Sequence, residues 1–487
     1  MLSLLHVFMG RSFLDSGFYL YAAKLVYQGQ IPYRDFFFVQ PPLYPYIYGL
    51  VMKIAGVSIL TARLTSMLFG IVTLILAVHL ARRIGGLYAG FITAGLLGFN
   101  VFLSYNFSVS KLYALTAFFL TAGTVFLSRY AETGRGICMP AFLLALTTGT
   151  RIALFPLAAV FFLYLLLHER KISRSLLAAF AVYLITTAVI FLPFLVLAGT
   201  DVVYYHLVGI HASADASGPY HFGMMNKIAV LSKLVRENFV IVFLFIAACF
   251  LKGTPLPRSD SVARRRSLFF SFYLPAVLAV YFLVHFAANW FTTDYLTVIF
   301  PLAAVWTGYR ITRVESLRLK FSARIGCLFL LGCLMGAFAY GKRDIMFHEG
   351  SFLSPYFPSL AAYIPEHVPP GGKLAVLNPL IAIQSGRDVV HGFEGMPPTY
   401  TPEWSDEKCA RFNSVNNNRL KTIFRDREAA ALVIDGEIFG IAFPRFVPVP
   451  QPERDAIINE MKKYYRKAAT FPPFVSGGSD VEVYLPD

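Results

Sequence analysis

Residues 15–47 read DSGFYLYAAKLVYQGQIPYRDFFFVQPPLYPYI and are the most informative part of the chain. An acidic residue opens this stretch, aromatic residues fill it, and Pro41-Pro42 interrupts it shortly before long apolar runs begin. Aromatic side chains are enriched where a chain crosses the membrane–water interface, and the residue before a proline is seldom helical. The stretch therefore predicts an interfacial loop that precedes a series of membrane spans.

The composition agrees with a membrane protein. Of the 487 residues, 56% are hydrophobic and only 15% are charged, and the mean hydropathy is +0.59. Soluble domains carry about 25% charged residues, and a spanning helix needs ~20 mostly apolar residues. We predict about 10–11 transmembrane helices. The candidate spans are 59–80, 87–104, 111–128, 137–150, 152–168, 175–198, 238–251, 268–286, 295–311 and 323–340.

Charges divide the loops into two sides. Clusters of Lys and Arg lie in alternate loops, at 82–83, 129–135, 170–174, 252–266 and 310–324. The positive-inside rule places these loops in the cytoplasm. The first outer loop (15–58), the later loops 199–237 and 287–294, and the tail after Lys342 then face outward. Because basic loops of this kind contact lipid headgroups, we expect membrane lipids as partners and no nucleic acid.

Two domains are predicted. Residues 1–343 form the transmembrane part, although residues 1–14 are too short to span; they fit either the end of an incomplete first span or an interfacial helix. Residues 344–487 predict an extracytoplasmic α/β domain. Its candidate strands are 373–377, 388–393, 431–434 and 481–485, and its candidate helices lie near 406–429 and 452–468.

Two acidic positions in the first outer loop are candidates for chemistry. Asp15 lies at the membrane edge, where a carboxylate is costly to desolvate, and Tyr19 would share its helix face. An N-cap role for Asp15 is the equal alternative. Asp35 follows Arg34, so a substrate contact competes with a local ion pair.

Basic residues at outer span junctions are candidate phosphate ligands. Arg63 and Arg151 each lie next to the outer end of a predicted span, near the membrane surface. An arginine there can bind a phosphate in a bidentate manner. The alternative is that its side chain extends to the surface without a ligand. Lys111 is a further candidate. Asp294 and Tyr295 lie at another outer junction, where they either line a cavity or cap a helix.

The sequence favours no cofactor. Asp201, His206, His211, Asp215 and His221 cluster in one outer loop, so a divalent metal is conceivable, but their spacing fits no ligand motif. The five cysteines form no CxxC pair, which argues against zinc or a disulfide framework. Nucleotide-binding and serine-hydrolase motifs are likewise missing from the sequence.

The ordered N-terminal block resembles the GT-C membrane glycosyltransferases, and within them the dolichyl-phosphate-mannose–protein mannosyltransferase-like family, which includes aminoarabinose–lipid A transferases. The segments that carry the resemblance are Asp15 to Ala22, PYRDFF at 32–37, PPLYPY at 41–46 and ARLTSMLFG at 62–70. Two places depart from the family pattern: Ser16 follows Asp15 where many relatives have Glu, and Thr293-Asp294-Tyr295 stands where many have an arginine before the tyrosine.

The resemblance implies a multi-pass plasma-membrane glycosyltransferase. Such an enzyme takes a hexose or pentose from a polyprenyl-phosphate donor and passes it to a protein, lipid or glycan acceptor at the extracytoplasmic face. Asp15 matches the outer-loop general base of the family, and Arg63 matches an arginine near the carrier phosphate. A transporter or flippase of lipid-linked sugars is the alternative, although such carriers usually show internal repeats that we do not see.

Overall fold

The structure is a computed structural model. It describes residues 2–10, 14–213, 223–251, 268–314, 332, 356–436, 438–473 and 479–487. The regular elements described in the membrane half are all helices and include no strands, whereas the C-terminal part contains a sheet. The predicted span 323–340 lies almost wholly outside the described residues.

Three helices precede the first long apolar helix. They are α1 (Leu2–Met9), α2 (Leu14–Tyr27) and α3 (Leu43–Ala55). The first outer loop is thus largely helical, with the aromatic turn of residues 31–42 between α2 and α3. Asp15 lies in the first turn of α2, where an acidic side chain suits the positive end of the helix dipole.

Helix α4 (Ile59–Gly98) contains two of the predicted spans in one hairpin. Gly86 interrupts it with φ 80° and ψ −171°, a conformation that suits glycine. A Cβ atom on Gly90 would come within 2.1 Å of the Arg82 side chain, which shows how closely the two arms pack at the turn. Ser58 caps the first arm by accepting a hydrogen bond from the Thr61 amide at 2.9 Å.

Most of the remaining helices follow the predicted apolar runs. The full set is α5 (Val101–Asn106), α6 (Tyr113–Thr133), α7 (Cys138–Thr150), α8 (Leu157–Glu169), α9 (Arg174–Leu197), α10 (Thr200–Tyr204), α11 (Ile210–Ala212), α12 (Met224–Glu237), α13 (Phe239–Phe250), α14 (Leu274–Ala287) and α15 (Phe300–Thr312). Short 3₁₀ or π turns at Ile152–Leu154, Tyr205–Gly209, Phe269–Tyr273 and Thr293–Ile299 connect some of them. Helices α10, α11 and α12 differ from the others, because they lie in the predicted outer loop 199–237.

Five of the described segments are long and apolar enough to cross a membrane. They are Ile59–Gly98, Tyr113–Thr133, Ile152–Glu169, Arg174–Leu197 and Phe269–Ala287, and the shorter apolar helices α7 and α13 accompany them. Side chains of α9 such as Val189 and Val196 are 68% and 74% exposed. An exposed apolar face of this size suits contact with lipid, and the chain is a multi-pass membrane protein.

The C-terminal part combines a mixed sheet with short helices. The helices are α16 (Tyr356–His367), α17 (Leu380–Ser385), α18 (Asp406–Arg411), α19 (Asn417–Arg425) and α20 (Gln451–Met461). The strands are β1 (Lys373–Val376), β2 (Asp388–Val389), β3 (Ala431–Ile434), β4 (Ile441–Ala442), β5 (Val447–Pro448), β6 (Tyr465–Phe471) and β7 (Val481–Pro486). The main sheet has the order β2-β1-β3-β7-β6, and β4 pairs with β5 separately.

All four predicted strands are present, but one predicted helix is too long. The helix expected near 452–468 ends at Met461, and Tyr465–Phe471 forms edge strand β6. This strand pairs with β7 in antiparallel register, with Tyr465 opposite Pro486. Backbone pairing with a neighbour distant in sequence outweighs the local helical pattern. The boundary predicted at residue 343 lies in a segment outside the described residues and stays a prediction.

Candidate active site

Lys111 is the centre of a small charged cluster. Its Nζ lies 3.2 Å from Oδ2 of Asp15 and 3.3 Å from Oδ2 of Asp294. The same Asp294 oxygen accepts a hydrogen bond of 2.9 Å from the hydroxyl of Tyr113. The cluster therefore joins three of the residues predicted from sequence, together with Tyr113, which was not predicted.

Separate parts of the chain supply these residues. Asp15 comes from the first turn of α2, and Lys111 lies in the bend between α5 and α6, where its amide donates to the carbonyl of Val109 at 2.8 Å. Tyr113 is the first residue of α6, and Asp294 lies in the 3₁₀ turn Thr293–Ile299. The cluster is thus assembled by the start of two helices, one bend and one 3₁₀ turn that lie close together.

Exposure differs strongly among the charged members. The side chain of Lys111 is 4% exposed and that of Asp294 is 23% exposed, whereas that of Asp15 is 62% exposed. The charges of Lys111 and Asp294 are thus largely buried, and that of Asp15 is exposed at the protein surface. Asp15 is the carboxylate of this cluster that another molecule can reach most readily.

The buried charges shift one another's pKa. Burial alone would lower the pKa of Lys111, but the charges of Asp15 and Asp294 outweigh it and raise the pKa above its usual value. Burial alone would raise the pKa of Asp294, but Lys111 and the hydrogen bond from Tyr113 lower it. Lys111 is therefore a stable cation and Asp294 a stable anion at neutral pH.

Arg151 adds a second positive charge beside the cluster. It lies between α7 and the 3₁₀ turn Ile152–Leu154, and the residue is only 8% exposed. Its guanidinium carbon lies 4.2 Å from the ring centroid of Tyr295 and 5.7 Å from that of Tyr113. Within the described ranges, Arg151 forms no ion pair with a carboxylate.

Tyrosines and a histidine surround Arg151 on the side of α14. The hydroxyl of Tyr281 donates to the carbonyl of Tyr295 at 2.6 Å, which holds the turn that carries Asp294. The His285 ring stacks on Tyr281 with centroids 4.2 Å apart, and its Nδ1 lies 2.8 Å from the Tyr281 carbonyl. Its buried Nε2 has no hydrogen-bond partner in the part of the chain that the structure describes.

Tyr19 lies on the inner side of α2, one turn after Asp15. Its ring packs against Phe38 and Tyr44, with centroids 6.5 Å and 5.3 Å away. Asp15, Arg151, Tyr295 and Lys111 are all within electrostatic range of its hydroxyl. The structure thus brings together Asp15, Tyr19, Lys111, Arg151, Asp294 and Tyr295 out of the predicted set.

The structure does not bring Arg34 and Asp35 to this cluster. Their side chains pair with each other through Nε–Oδ1 and Nη2–Oδ2 contacts of 2.8 Å each. Asp35 also accepts the Ile31 amide at 2.7 Å, which closes the aromatic turn. This geometry corresponds to the local ion pair that the sequence offered as the alternative to a substrate contact.

Hydrogen bonds from Arg63 go to the end of α1. It is 2% exposed, and its Nη1 donates to the carbonyls of Val7 at 2.8 Å and Gly10 at 3.1 Å. These carbonyls belong to the C-terminal end of α1, where backbone acceptors lack helical partners. The geometry assigns Arg63 to holding α1 against α4, and the phosphate-binding role predicted for it has no support from these contacts.

The C-terminal part docks directly on the helix that carries Asp15. Lys24 of α2 lies 2.9 Å from Asp388, and the Tyr21 hydroxyl accepts the Val389 amide at 2.7 Å. A Cβ atom on Gly17 would come within 2.3 Å of Asn378 Oδ1. The position of α2 is therefore set partly by the edge of the sheet.

The histidine-containing outer loop does not assemble a metal site within the described ranges. Asp201 pairs with Arg411 at 2.8 Å, and His206 is buried with its Nδ1 2.8 Å from the Val202 carbonyl. Asp215 and His221 lie outside the described residues. No group of three His, Cys, Asp or Glu residues suitable for a metal occurs among the described ones.

Sequence reasoning missed Tyr113 and Tyr281. Both are tyrosines within mostly apolar runs, and the sequence contains many others that only fill the core. Their contacts to Asp294 and Tyr295 depend on packing between distant helices. No local signal in the sequence distinguishes them.

The comparisons with known proteins agree with this architecture. Residues 39–197 match the model of the family described as dolichyl-phosphate-mannose-protein mannosyltransferase. No curated protein sequence gives a significant match. The chain is similar in structure to ArnT from Cupriavidus metallidurans bound to undecaprenyl phosphate, with TM-score 0.62, 12% identity, and coverage of 99% of this chain and 96% of that chain.

Two further structures show the same likeness. The apo state of the same ArnT gives TM-score 0.63 and 11% identity, with 99% of this chain and 95% of that chain covered. Arabinofuranosyltransferase AftD from Mycobacteria gives TM-score 0.52 and 14% identity, with all of this chain but only 39% of that chain covered. At these identities the likeness establishes the fold.

The fold is that of the GT-C membrane glycosyltransferases. The family match over residues 39–197 confirms the resemblance to the dolichyl-phosphate-mannose–protein mannosyltransferases at PPLYPY (41–46) and ARLTSMLFG (62–70), and it does not reach Asp15.

Proposed function

We propose that this protein transfers a sugar from a polyprenyl-phosphate carrier to an acceptor at the extracytoplasmic face of the plasma membrane. The observation that carries the proposal is the pairing of an accessible carboxylate, Asp15, with buried cations on one side of it. An acceptor hydroxyl can approach the exposed carboxylate, and the guanidinium of Arg151, which forms no ion pair with a described carboxylate, is the charge we propose for the phosphate. Asp15 and Arg151 both lie within electrostatic range of the Tyr19 hydroxyl, so the two groups proposed for sugar transfer share one neighbour.

Asp15 is the proposed general base. The acceptor oxygen attacks the anomeric carbon, and its proton passes to the Asp15 carboxylate as the new bond to carbon forms. Lys111, at 3.2 Å, holds this carboxylate in place and is itself fixed by Asp294. The family resemblance implies that the configuration at the anomeric carbon inverts.

Arg151 is the proposed ligand of the carrier phosphate. When the bond between the anomeric carbon and the phosphate oxygen breaks, its electron pair leaves with that oxygen, and the phosphate gains negative charge. A buried guanidinium stabilises this charge more strongly than one in water, and it needs no rearrangement at the moment of reaction. Tyr295 and Tyr113 keep the guanidinium in position through their ring faces.

The undecaprenyl phosphate bound to ArnT supports a carrier lipid of this kind. The sugar and the acceptor follow neither from the fold nor from the cluster. A hexose or a pentose, and a protein, lipid or glycan acceptor, fit the proposal equally.

The proposal is tested with purified protein in lipid nanodiscs. Undecaprenyl-phosphate-linked sugars carrying a radiolabelled hexose or pentose are incubated with the protein and an acceptor extract from the host membrane. Loss of label from the carrier fraction with gain in an acceptor fraction is the expected result. A protein that binds the carrier or moves it between leaflets, but leaves every sugar attached, is a carrier rather than a transferase and overturns the proposal.

A further inference from the structure

A second charged site lies at the other end of α6. A cleft of about 660 Å³ opens between the first arm of α4 and the end of α6, and its lining includes His79, Arg83, Arg129, Thr133 and Arg135. Tyr113 and Thr133 are the two ends of α6, and at ~1.5 Å per residue the helix is roughly 30 Å long. That length equals the thickness of the hydrocarbon core. The cleft therefore lies at the membrane surface opposite to the candidate active site.

The cleft carries an excess of positive charge. Arg83 pairs with Glu132, with Nη2 2.5 Å from Oε2 and Nε 3.2 Å from the same oxygen. Arg129 and Arg135 form no ion pair with a carboxylate within the described ranges, and both are exposed. The guanidinium of Arg129 lies 5.9 Å from the ring of Phe126, which orients it along the cleft wall.

An apolar groove adjoins this cleft. It has a volume of about 400 Å³ and runs between the two arms of α4, where Leu74 and Val78 face Ala94 and Leu97. His79 lines both the groove and the cleft. A basic cleft and an apolar groove that share one wall match the two ends of a phospholipid.

We infer that this combined site binds an anionic phospholipid, with the phosphate between Arg129 and Arg135 and an acyl chain in the groove of the α4 hairpin. Basic pockets between membrane helices are suited to phosphate headgroups, because guanidinium groups bind phosphate oxygens in pairs. The groove adds contacts that inorganic phosphate cannot make. The positive-inside pattern places this site in the cytoplasmic leaflet.

The first experiment compares lipids and charge variants of the full chain. Binding of phosphatidylglycerol and phosphatidylcholine to the purified protein is measured by native mass spectrometry. In the double variant Arg129→Gln, Arg135→Gln, the affinity for phosphatidylglycerol should fall at least fivefold. The matched control Lys171→Gln, Arg174→Gln removes the same charge from two exposed residues, one in the loop before α9 and one at its first position, and should change the affinity by less than twofold.

The second experiment separates a lipid site from a phosphate site. Ala94→Trp fills the groove and leaves every arginine in place, so it should weaken phosphatidylglycerol binding. The melting temperature of the lipid-free variant should equal that of the lipid-free wild type. Inorganic phosphate at the same concentration should not displace the lipid. Equal losses in the charge variant and its control, unchanged binding in Ala94→Trp, or displacement by inorganic phosphate would each overturn the assignment.

Discussion

The Nζ of Lys111 lies 3.3 Å from Oδ2 of Asp294, although 183 positions separate the two residues. This contact ties the start of α6 to the turn before α15, and Asp15 joins it from α2 at 3.2 Å. Three segments of the membrane half therefore meet at one buried ammonium group. Loss of one of these contacts should therefore lower the stability of the protein and the rate of the proposed sugar transfer.

Asp15→Asn should abolish sugar transfer. The amide keeps the size of the side chain but accepts no proton, so we expect turnover to fall by about 10²–10⁴-fold, the usual contribution of a general base. Binding of undecaprenyl phosphate should remain, because the cations are unchanged. Asp201→Asn is the control, since Asp201 is an exposed outer aspartate paired with Arg411. Turnover in Asp15→Asn equal to that of the wild type would remove Asp15 from the mechanism.

Arg151→Gln should weaken binding of undecaprenyl phosphate. Loss of a charge-assisted contact to phosphate costs about 1.5–3 kcal/mol, which corresponds to roughly 10- to 100-fold in affinity. Native mass spectrometry of carrier binding measures the change. Arg310→Gln is the comparison. It removes the same charge from an arginine whose Nε donates a hydrogen bond to the Ala248 carbonyl at 3.2 Å and which is not part of the candidate site. Equal carrier affinity in Arg151→Gln and the wild type contradicts the assignment.

Arg63→Gln should lower stability rather than binding of the carrier. The substitution leaves the carbonyls of Val7 and Gly10 without their donor, and an unsatisfied buried acceptor costs about 1–3 kcal/mol. We expect a lower melting temperature in nanodiscs and unchanged affinity for undecaprenyl phosphate. The reverse result, weaker carrier binding at an unchanged melting temperature, would return Arg63 to the phosphate site.

Acidification should remove the stabilisation that Asp294 provides. Its pKa in the folded protein is below the ordinary value of 3.8, so its contribution is present above about pH 4 and is lost as the pH falls through the folded value. Melting temperatures measured between pH 6 and pH 3 should therefore fall more steeply in the wild type than in Asp294→Asn. Parallel curves for the two proteins would show that the carboxylate is not held by Lys111 in the way described.

Much of the architecture follows from the sequence, because membrane spans are local features. Apolar runs such as 175–198 and 268–286 correspond to observed helices within about one residue, since each run alone satisfies the length that the bilayer requires. The four predicted strands are also present. Strand β6 was predicted as helix, because its pairing with β7 cannot be seen locally.

The candidate site was only partly predictable. Lys111, Arg151 and Asp294 could be singled out, because charges next to apolar runs are unusual. Which charges meet depends on helix packing, and for this reason Arg34 and Arg63 looked equally promising. In the structure Arg34 pairs with its neighbour Asp35 and Arg63 holds the end of α1.

The helix that carries Asp15 touches the sheet edge through Lys24 and Tyr21. Asp15, the proposed base, and the two residues that contact the sheet belong to one helix of 14 residues. Under the proposed mechanism, a nanobody that binds between α2 and β2 would tilt Asp15 away from the acceptor without occupying the candidate site. An inhibitor of this kind would resemble neither a sugar nor a lipid, because it would act on the contact between α2 and the sheet edge.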